Sequence, residues 1–224
     1  HWGVLWDPGQ RLRRVQQVRY DGHSLQAGAE YWWKVMVWDA DGHKGNWSTP
    51  TSFTTGLWAP KDWGGARWIG HEKFPDSLFL VPGLHGADKE RLRHFGAYTP
   101  VIPHFRAVAA LRGKPSRAVL HVSGLGHYAA YVNGRALDGW RLVPGWTDYS
   151  KTVLYNSYDV TDRLQQGDNC LAFTVGNGFH YINRQRYWKL LIAYGFPKLI
   201  YSLHVEYRDG EHEWFVSDKH CRTA

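Results

Sequence analysis

The sequence predicts an all-β protein in which antiparallel strands form sandwiches. Short segments rich in aromatic and β-branched residues follow one another at close spacing, and Gly-containing turn signals separate them. The composition agrees, since 13 Trp, 13 Tyr, 9 Phe and 24 Gly among 224 residues suit pleated, half-buried strands joined by tight turns. Because no helical segments alternate with the strands, the pattern favours an antiparallel sandwich or jelly roll over a parallel sheet.

The bulk composition excludes several classes of protein. With 43% hydrophobic and 21% charged residues the chain can bury a core, which excludes a disordered protein. The net charge is +7, but the basic residues stand in small scattered groups, so no nucleic-acid partner is expected. No stretch approaches the roughly 20 apolar residues of a membrane span, so no membrane partner is expected. The 2 cysteines exclude a disulfide scaffold, and Cys170 within an apolar strand pattern is interpreted as a small core residue.

The first strong element is a strand over Tyr31–Trp38, followed by a turn at residues 39–42. The segment that enters it, residues 25–31, has the Leu, Gly and Tyr order of a tyrosine corner, in which the Tyr31 hydroxyl bonds to upstream backbone. Asn46-Trp47-Ser48 and Ser52–Thr55 are predicted to form the last strand, with Trp47 as a core anchor.

This first segment resembles a fibronectin type III domain over residues 1–57. A complete sandwich of this kind needs about 100 residues in about seven strands. Only four strand candidates can be identified, so the domain is predicted to be partial, with its first strands upstream of His1.

Residues 58–103 are predicted to be a connector with short strands, one of them at Trp68-Ile69, because Pro and Gly interrupt the segment and long apolar runs are few. From His104 a jelly-roll domain is predicted to extend to Ala224. Its strands are placed at 104–109, 117–123, 127–133, 152–160, 169–176, 198–207 and 212–217. Asn133-Gly134 and Asp209-Gly210 supply hairpin turns, and residues 160–164 are predicted to form one helical turn capped by Thr161.

Several segments together resemble the amino-terminal region of bacterial α-L-rhamnosidases. In order they are Leu5-Trp6-Asp7-Pro8-Gly9, Tyr31–Asp39, Phe53–Leu57, Gly124-Leu125-Gly126-His127-Tyr128, Tyr131-Val132-Asn133-Gly134, Pro144-Gly145-Trp146-Thr147-Asp148-Tyr149, Tyr158–Thr161 and Gly167-Asp168-Asn169. Their shared order across most of the chain carries the resemblance more than any single match. The pattern is broken at Phe105-Arg106-Ala107, at Gly178-Phe179-His180 and at Cys221, where a Trp is expected.

The resemblance implies a modular enzyme. In such an enzyme fibronectin-like and jelly-roll domains precede an (α/α)6 barrel that removes terminal L-rhamnose with inversion. That barrel would follow Ala224, so this chain is expected to be inactive alone and to have the barrel as its partner. The resemblance also implies a rhamnose-containing glycan as ligand, and it favours an extracellular or periplasmic location.

No residue is assigned to catalysis. An inverting glycosidase needs two carboxyl groups about 6.5–9.5 Å apart across a sugar. The acids that invite this role, Asp138, Asp148 and Asp159, stand in turns or at strand edges, where Asp accepts hydrogen bonds from nearby backbone amides. The 13 His residues are dispersed and lack His-Glu-x-x-His spacing, so the sequence predicts no metal site and no cofactor.

Carbohydrate binding needs an exposed aromatic platform beside polar groups that pair with hydroxyls. The candidate residues lie in the loops after the third and fifth jelly-roll strands, and they are Trp146, Asp148, Tyr149, Asn177, Phe179, His180, Tyr181 and Trp188, with Tyr187 beside them. Two alternatives stay open: Trp146 and Tyr149 could be buried staples of the loop, or exposed aromatics could face the barrel. Related jelly-roll modules bind rhamnose through calcium, and on that resemblance Asp148 and Asn177 could be calcium ligands.

The sequence leaves three functions open. The leading one is a non-catalytic region that packs on the barrel and helps to recognise the substrate. The second is an independent carbohydrate-binding module for rhamnose-containing glycans. The third is a protein-interaction domain without a ligand.

Overall fold

The computed structural model describes residues 4–12, 17–74, 101–137, 139, 142–182 and 192–224. The chain divides into two compact units, residues 1–62 and 63–224. Within the described residues the helical elements are two 3-10 turns, Pro60–Trp63 and Thr161–Arg163. None of the described helices is long and apolar enough to cross a bilayer. All the described ladders between strands are antiparallel, which confirms the predicted all-β fold.

The first unit contains a two-stranded sheet, β1 (Glu30–Trp33) and β2 (Thr51–Thr54). Tyr31 stands opposite Phe53, and their rings stack with centroids 5.8 Å apart. The Tyr31 hydroxyl accepts a hydrogen bond of 2.7 Å from the backbone N–H of Gln26, which is the contact predicted for a tyrosine corner. Hydrogen bonds to upstream backbone thus fix the entry to β1.

The remainder of this unit is less regular than predicted. β1 ends at Trp33 instead of continuing to Trp38, because the N–H of Val35 donates to the Ser48 hydroxyl at 3.0 Å rather than to a ladder carbonyl. Trp47 is half-exposed and was wrongly predicted to be a core anchor; the ammonium of Lys34 lies 4.4 Å from its ring centroid. A two-stranded sheet offers too little surface to bury such rings within the described residues.

The second unit is a β-sandwich. Its strands are β3 (Ile69–Gly70), β4 (His104–Leu111), β5 (Arg117–Leu125), β6 (His127–Val132), β7 (Arg135–Ala136), β8 (Asn156–Asp159), β9 (Gly167–Gly176), β10 (Tyr181–Ile182), β11 (Ile192–Ala193), β12 (Lys198–Glu206), β13 (His212–Val216) and β14 (Arg222–Thr223). One sheet has the order β13-β12-β5-β8 with β3 against β12, the other has the order β14-β4-β9-β6-β7, and β10 pairs with β11.

The core lies between the two large sheets. Alternate residues of β9 are buried, among them Leu171, Phe173 and Val175, which is the period of a strand with one face inward. Phe173 stacks on Tyr201 of the other sheet with ring centroids 4.9 Å apart. Cys170 falls on the opposite face of β9 and is only half-buried, so the prediction that it is a core residue is wrong.

Two asparagines, which lie in segments that resemble the amino-terminal region of α-L-rhamnosidases, connect the loops of the second unit by hydrogen bonds. Asn169 is buried; its carbonyl accepts from the Asn133 amide at 2.9 Å and from the N–H of Gln165 at 2.9 Å. Its own amide donates to the Gln165 carbonyl at 2.7 Å and to the Gly167 carbonyl at 2.9 Å. One buried side chain therefore satisfies several part-buried backbone groups of this loop.

We expect Asn169→Ala to lower the free energy of unfolding by about 2–3 kcal/mol, since several part-buried polar groups lose their partner, and an unpaired buried group costs about 1–3 kcal/mol before relaxation. Urea denaturation followed by tryptophan fluorescence measures the change. Asp168→Ala is the matched control, because this neighbour in the same strand is exposed. Equal losses in the two variants would contradict the structural role of Asn169.

Two predicted elements of the sandwich need correction. The strand predicted from residue 152 begins at Asn156, because Thr152 and Lys151 donate their N–H groups to the Asp148 carbonyl and form a turn. The helical turn is a 3-10 turn that Thr161 does not cap. Instead, Asp159 accepts hydrogen bonds from the N–H and the hydroxyl of Thr161, at 2.9 and 2.6 Å.

Candidate functional site

Two aromatic side chains form an exposed platform where two loops of the sandwich meet. Trp146 lies in the loop before β8 and is 62% exposed, and Phe179 lies in the turn after β9 and is 44% exposed. Their ring centroids are 5.1 Å apart at an interplanar angle of 33°. The alternative that Trp146 is a buried staple is therefore wrong, and its ring faces solvent.

Polar atoms without partners lie around the same two loops. Among the described residues, four buried side-chain polar atoms lack a hydrogen-bond partner of good geometry. Two of them are Asn177 Oδ1 and His180 Nδ1, and a third is the Tyr149 hydroxyl, which the Gly126 backbone approaches. The rings of Tyr149 and His180 meet edge to face with centroids 5.2 Å apart. Because buried polar groups are nearly always paired in folded proteins, their concentration here indicates a place for a polar ligand. We call Trp146, Tyr149, Asn177, Phe179 and His180 the loop cluster.

Two glycines let the loops approach this closely. Gly126, between β5 and β6, has φ of +116°, and a Cβ on it would stand 2.1 Å from the Gly176 carbonyl oxygen. Gly178 has φ of +51°, and a Cβ there would lie 2.8 Å from Cδ2 of His127. The Asn177 carbonyl then accepts the N–H of His180 at 3.1 Å and closes the turn. Only glycine satisfies both conditions at these positions.

The loop cluster carries no charge near neutral pH. Burial lowers the pKa of His180 to about 4, so its imidazole is neutral. Burial also raises the pKa of the Tyr149 hydroxyl, which stays protonated. A neutral imidazole offers one donor and one acceptor, and a phenol and an amide add both kinds. This set suits a neutral ligand with several hydroxyl groups rather than an ion.

Asp148 is occupied within its own turn. Its Oδ1 accepts from the N–H and the hydroxyl of Ser150, at 3.1 and 2.5 Å, and its Oδ2 lies 3.2 Å from the ammonium of Lys151. Hydrogen bonds from the Ser150 side chain and from Lys151 hold the pKa of Asp148 below its ordinary value. An ammonium group beside the carboxylate opposes a second cation. Asp148 and Asn177 therefore do not fit a calcium site as arranged.

The other candidate residues have different locations. Tyr181 is 1% exposed and packs with Phe196 and Phe74 in a separate small core, beneath the surface rather than on it. Trp188, Tyr187 and Asp138 lie outside the described residues. Asp159 accepts the hydrogen bonds of the following 3-10 turn, which agrees with its predicted turn role.

The structure adds two residues to the site that the sequence did not indicate. Tyr194 lies with its ring centroid 5.8 Å from that of Tyr149 and 6.0 Å from that of His180. His127 packs edge to face on Phe179 at 6.4 Å, and its Nδ1 lies 3.2 Å from the Pro144 carbonyl. His127 lies in one of the segments that resemble α-L-rhamnosidases, and this resemblance is the sequence feature that could have indicated it. No sequence feature indicated Tyr194.

Two family models match the chain. Residues 113–224 match the α-L-rhamnosidase N-terminal domain, and residues 2–59 match the Rha78A-like, N-terminal immunoglobulin domain. The immunoglobulin match agrees with the sandwich-type first segment predicted from the sequence.

Relatives and solved structures agree with these matches. An α-L-rhamnosidase from Formosa agariphila is 31% identical in an alignment of 217 positions that covers 90% of this chain and 22% of that protein. The structure of α-L-rhamnosidase from Dictyoglumus thermophilum superposes with a TM-score of 0.76 at 32% identity, over 98% of this chain and 23% of that one. The α-L-rhamnosidase of Aspergillus terreus gives 0.69 at 28%, over 89% and 21%. This chain thus spans about a fifth of these relatives, and it belongs to the α-L-rhamnosidase N-terminal domain family.

Proposed function

We propose that this chain is the non-catalytic front region of an α-L-rhamnosidase, and that its jelly roll helps to recognise the substrate. The match of residues 113–224 to the α-L-rhamnosidase N-terminal domain supports a non-catalytic part. We further propose 1–57, 58–103 and 104–224 as the limits of the first domain, the connector and the jelly roll. The matches at 2–59 and 113–224 support these limits.

The loop cluster is the proposed recognition surface. Sugars present apolar C–H faces to aromatic rings and hydroxyl groups to amides, phenols and imidazoles. Trp146 and Phe179 supply the exposed rings, and the unpaired atoms of Tyr149, Asn177 and His180 supply the polar partners. The single observation that carries the proposal is that three of the four buried polar atoms without a well-formed hydrogen bond belong to the two loops that carry the exposed aromatic pair.

The catalytic domain of the full-length enzyme is the proposed second partner. Trp146 and Phe179 would then stand at the rim of the substrate pocket, where one side of the platform contacts sugar and the other contacts protein. This arrangement would let the region orient a branched glycan before the terminal rhamnose reaches the catalytic carboxyl groups.

We expect L-rhamnose or a rhamnosylated oligosaccharide to bind the chain saturably, with Trp146→Ala and Asn177→Ala each weakening binding at least tenfold. A tenfold loss corresponds to about 1.4 kcal/mol, a plausible share for one aromatic or one hydrogen-bonding anchor. Isothermal titration with and without calcium measures it. Trp58→Ala is the matched control, because Trp58 is 60% exposed, as Trp146 is, but belongs to the first unit.

The outcomes separate the three functions. Binding by the isolated chain that the cluster variants weaken supports the recognition role, and an equal affinity in the full-length enzyme would make the region an independent carbohydrate-binding module. Calcium dependence would contradict the conclusion that Asp148 does not fit a calcium site. Binding that appears only in the full-length enzyme supports a module that completes its site with the catalytic domain. If neither form responds to sugar, and Trp146→Ala changes only the stability of the full-length enzyme, the region is a scaffold and the recognition role is wrong.

A further inference from the structure

Two histidines and a glutamate meet on one face of the hairpin formed by β12 and β13. His204 and Glu206 lie on β12, and His212 lies on β13 directly opposite Glu206. One ring nitrogen of each histidine and a carboxylate oxygen of Glu206 all lie within 4.8 Å of one another. None of the three belongs to the loop cluster. We call them the hairpin trio.

We propose that the hairpin trio binds a divalent transition-metal ion. Imidazole nitrogen and carboxylate oxygen are the ligand set that Ni²⁺, Cu²⁺ and Zn²⁺ share. The sequence predicted no metal site, because His-Glu-x-x-His spacing belongs to a helix and does not indicate a site built on paired strands. Strand pairing brings the three groups together without any fixed spacing, since His204 and His212 stand eight residues apart on two strands.

The two ring nitrogens of the hairpin trio face each other. His204 Nε2 and His212 Nδ1 are 2.9 Å apart in a hydrogen bond, and the two ring centroids are 5.1 Å apart with planes 9° from parallel. A metal ion therefore replaces the proton that the two nitrogens share, and the rings turn so that both lone pairs meet the ion at about 2.0–2.1 Å. Ni²⁺, Cu²⁺ and Zn²⁺ all accept imidazole nitrogen ligands of this kind.

The surroundings keep the side chains of the hairpin trio close together before a metal arrives. The Trp214 ring stacks on His204 with centroids 4.5 Å apart and lies 6.0 Å from His212, so one indole face orients both imidazoles. Arg117 forms an ion pair with Oε1 of Glu206. The charge of Arg117 opposes a cation at Glu206, as that of Lys151 does at Asp148, so the two imidazoles are the principal ligands and Glu206 is the weaker one. His212 is exposed, which leaves an open side for water ligands.

A second group of possible ligands serves as an internal control. Asp39, Asp41 and His43 are also close together, but all three are exposed. Oδ1 of Asp39 accepts the N–H groups of Asp41 and His43, at 3.0 and 2.7 Å, and Oδ2 lies 3.0 Å from His43 Nδ1. These hydrogen bonds within one turn already explain why the three side chains lie close together.

The test is a calorimetric titration of the tag-free chain with Ni²⁺ at pH 7.5. We expect one equivalent to bind at the hairpin trio, with His212→Ala and His204→Ala each weakening that event at least tenfold and Glu206→Gln weakening it less. His43→Ala is expected to leave it unchanged. The melting temperature of the wild type should rise with Ni²⁺, since a ligand that binds only the folded chain stabilises it.

His212→Ala removes an exposed side chain, so this variant should fold, and circular dichroism checks that it does. The proposal is overturned if folded His212→Ala binds Ni²⁺ as tightly as the wild type, or if His43→Ala removes the binding event. It is overturned equally if the wild type takes up no Ni²⁺ and its melting temperature does not move.

Discussion

Acidification from pH 7 to pH 4 is expected to destabilise the second unit by about 3 kcal/mol through His121 alone. This side chain is 2% exposed on β5, with Nδ1 2.8 Å from the Ser157 hydroxyl and the rings of Trp63 and Tyr155 packed around it. Burial lowers the pKa of His121 to about 4, and the positive charges of His204 and Arg117 act in the same direction.

The direction in which stability changes with pH follows from proton binding at His121. The ordinary pKa of His is about 6.5, so between pH 6.5 and 4 the unfolded chain holds a proton at this site and the folded chain does not. The stability is therefore fully present above pH 6.5, is lost progressively as the pH falls, and is gone below about 4. Each unit of pKa difference is worth about 1.4 kcal/mol, which gives on the order of 3 kcal/mol. Burial of His180, whose pKa is also lowered to about 4, adds a loss of the same sign.

Urea denaturation at pH 7, 5.5 and 4 in the presence of a chelator measures this loss. His121→Gln cannot take up a proton in this range, so its loss should be smaller than that of the wild type by about 3 kcal/mol. His104→Gln is the matched control, because His104 makes a similar contact of 2.9 Å to the Thr174 hydroxyl but is exposed. An unchanged pH dependence in His121→Gln would show that His121 is not the group responsible.

Gly126→Ala is expected to cost more than 2 kcal/mol of stability and to abolish sugar binding. At φ of +116° an L side chain is strained by about 1–3 kcal/mol. The new Cβ would also stand 2.1 Å from the Gly176 carbonyl oxygen, a backbone atom that cannot rotate away. Any shift that relieves this contact moves Asn177, and the loop cluster loses its arrangement.

Gly134→Ala separates the effect of backbone strain from the effect of the steric clash. Gly134 also has a positive φ, +77°, but a Cβ there meets nothing within 4 Å. That variant should lose about 1 kcal/mol from backbone strain alone and should bind sugar as the wild type does. Thermal denaturation and the sugar titration report both effects. If the two variants lose the same stability and keep the same affinity, the close approach at Gly126 does not shape the site.

The sequence predicted the strands of the sandwich well. The strands near 104–109, 117–123, 169–176, 198–207 and 212–217 were all placed within a few residues, because apolar and β-branched residues bounded by turn signals mark them. This holds whether one face of the strand is buried, as in β9, or both, as in β5. The tyrosine corner at Tyr31 followed from local sequence as well, since its hydroxyl bonds only five residues upstream.

Elements fixed by contacts that are distant in sequence were not predictable. The exposure of Trp146 depends on a loop whose partner, Phe179, lies 33 residues further along the chain. Tyr194 joins the site only because β11 pairs with β10. The hairpin trio likewise depends on strand register, which places Glu206 opposite His212.

The central claim, that the loop cluster recognises rhamnose, is tested most directly by nuclear magnetic resonance of the tryptophan indole groups. The chain has 13 Trp, and assigned spectra recorded during an L-rhamnose titration report on each indole N–H separately. We expect the Trp146 signal to shift saturably while those of Trp58 and Trp214 stay in place. If Trp146 does not move at saturating sugar, or if the shifts concentrate at Trp214 or in the first unit, the loop cluster is not the recognition site.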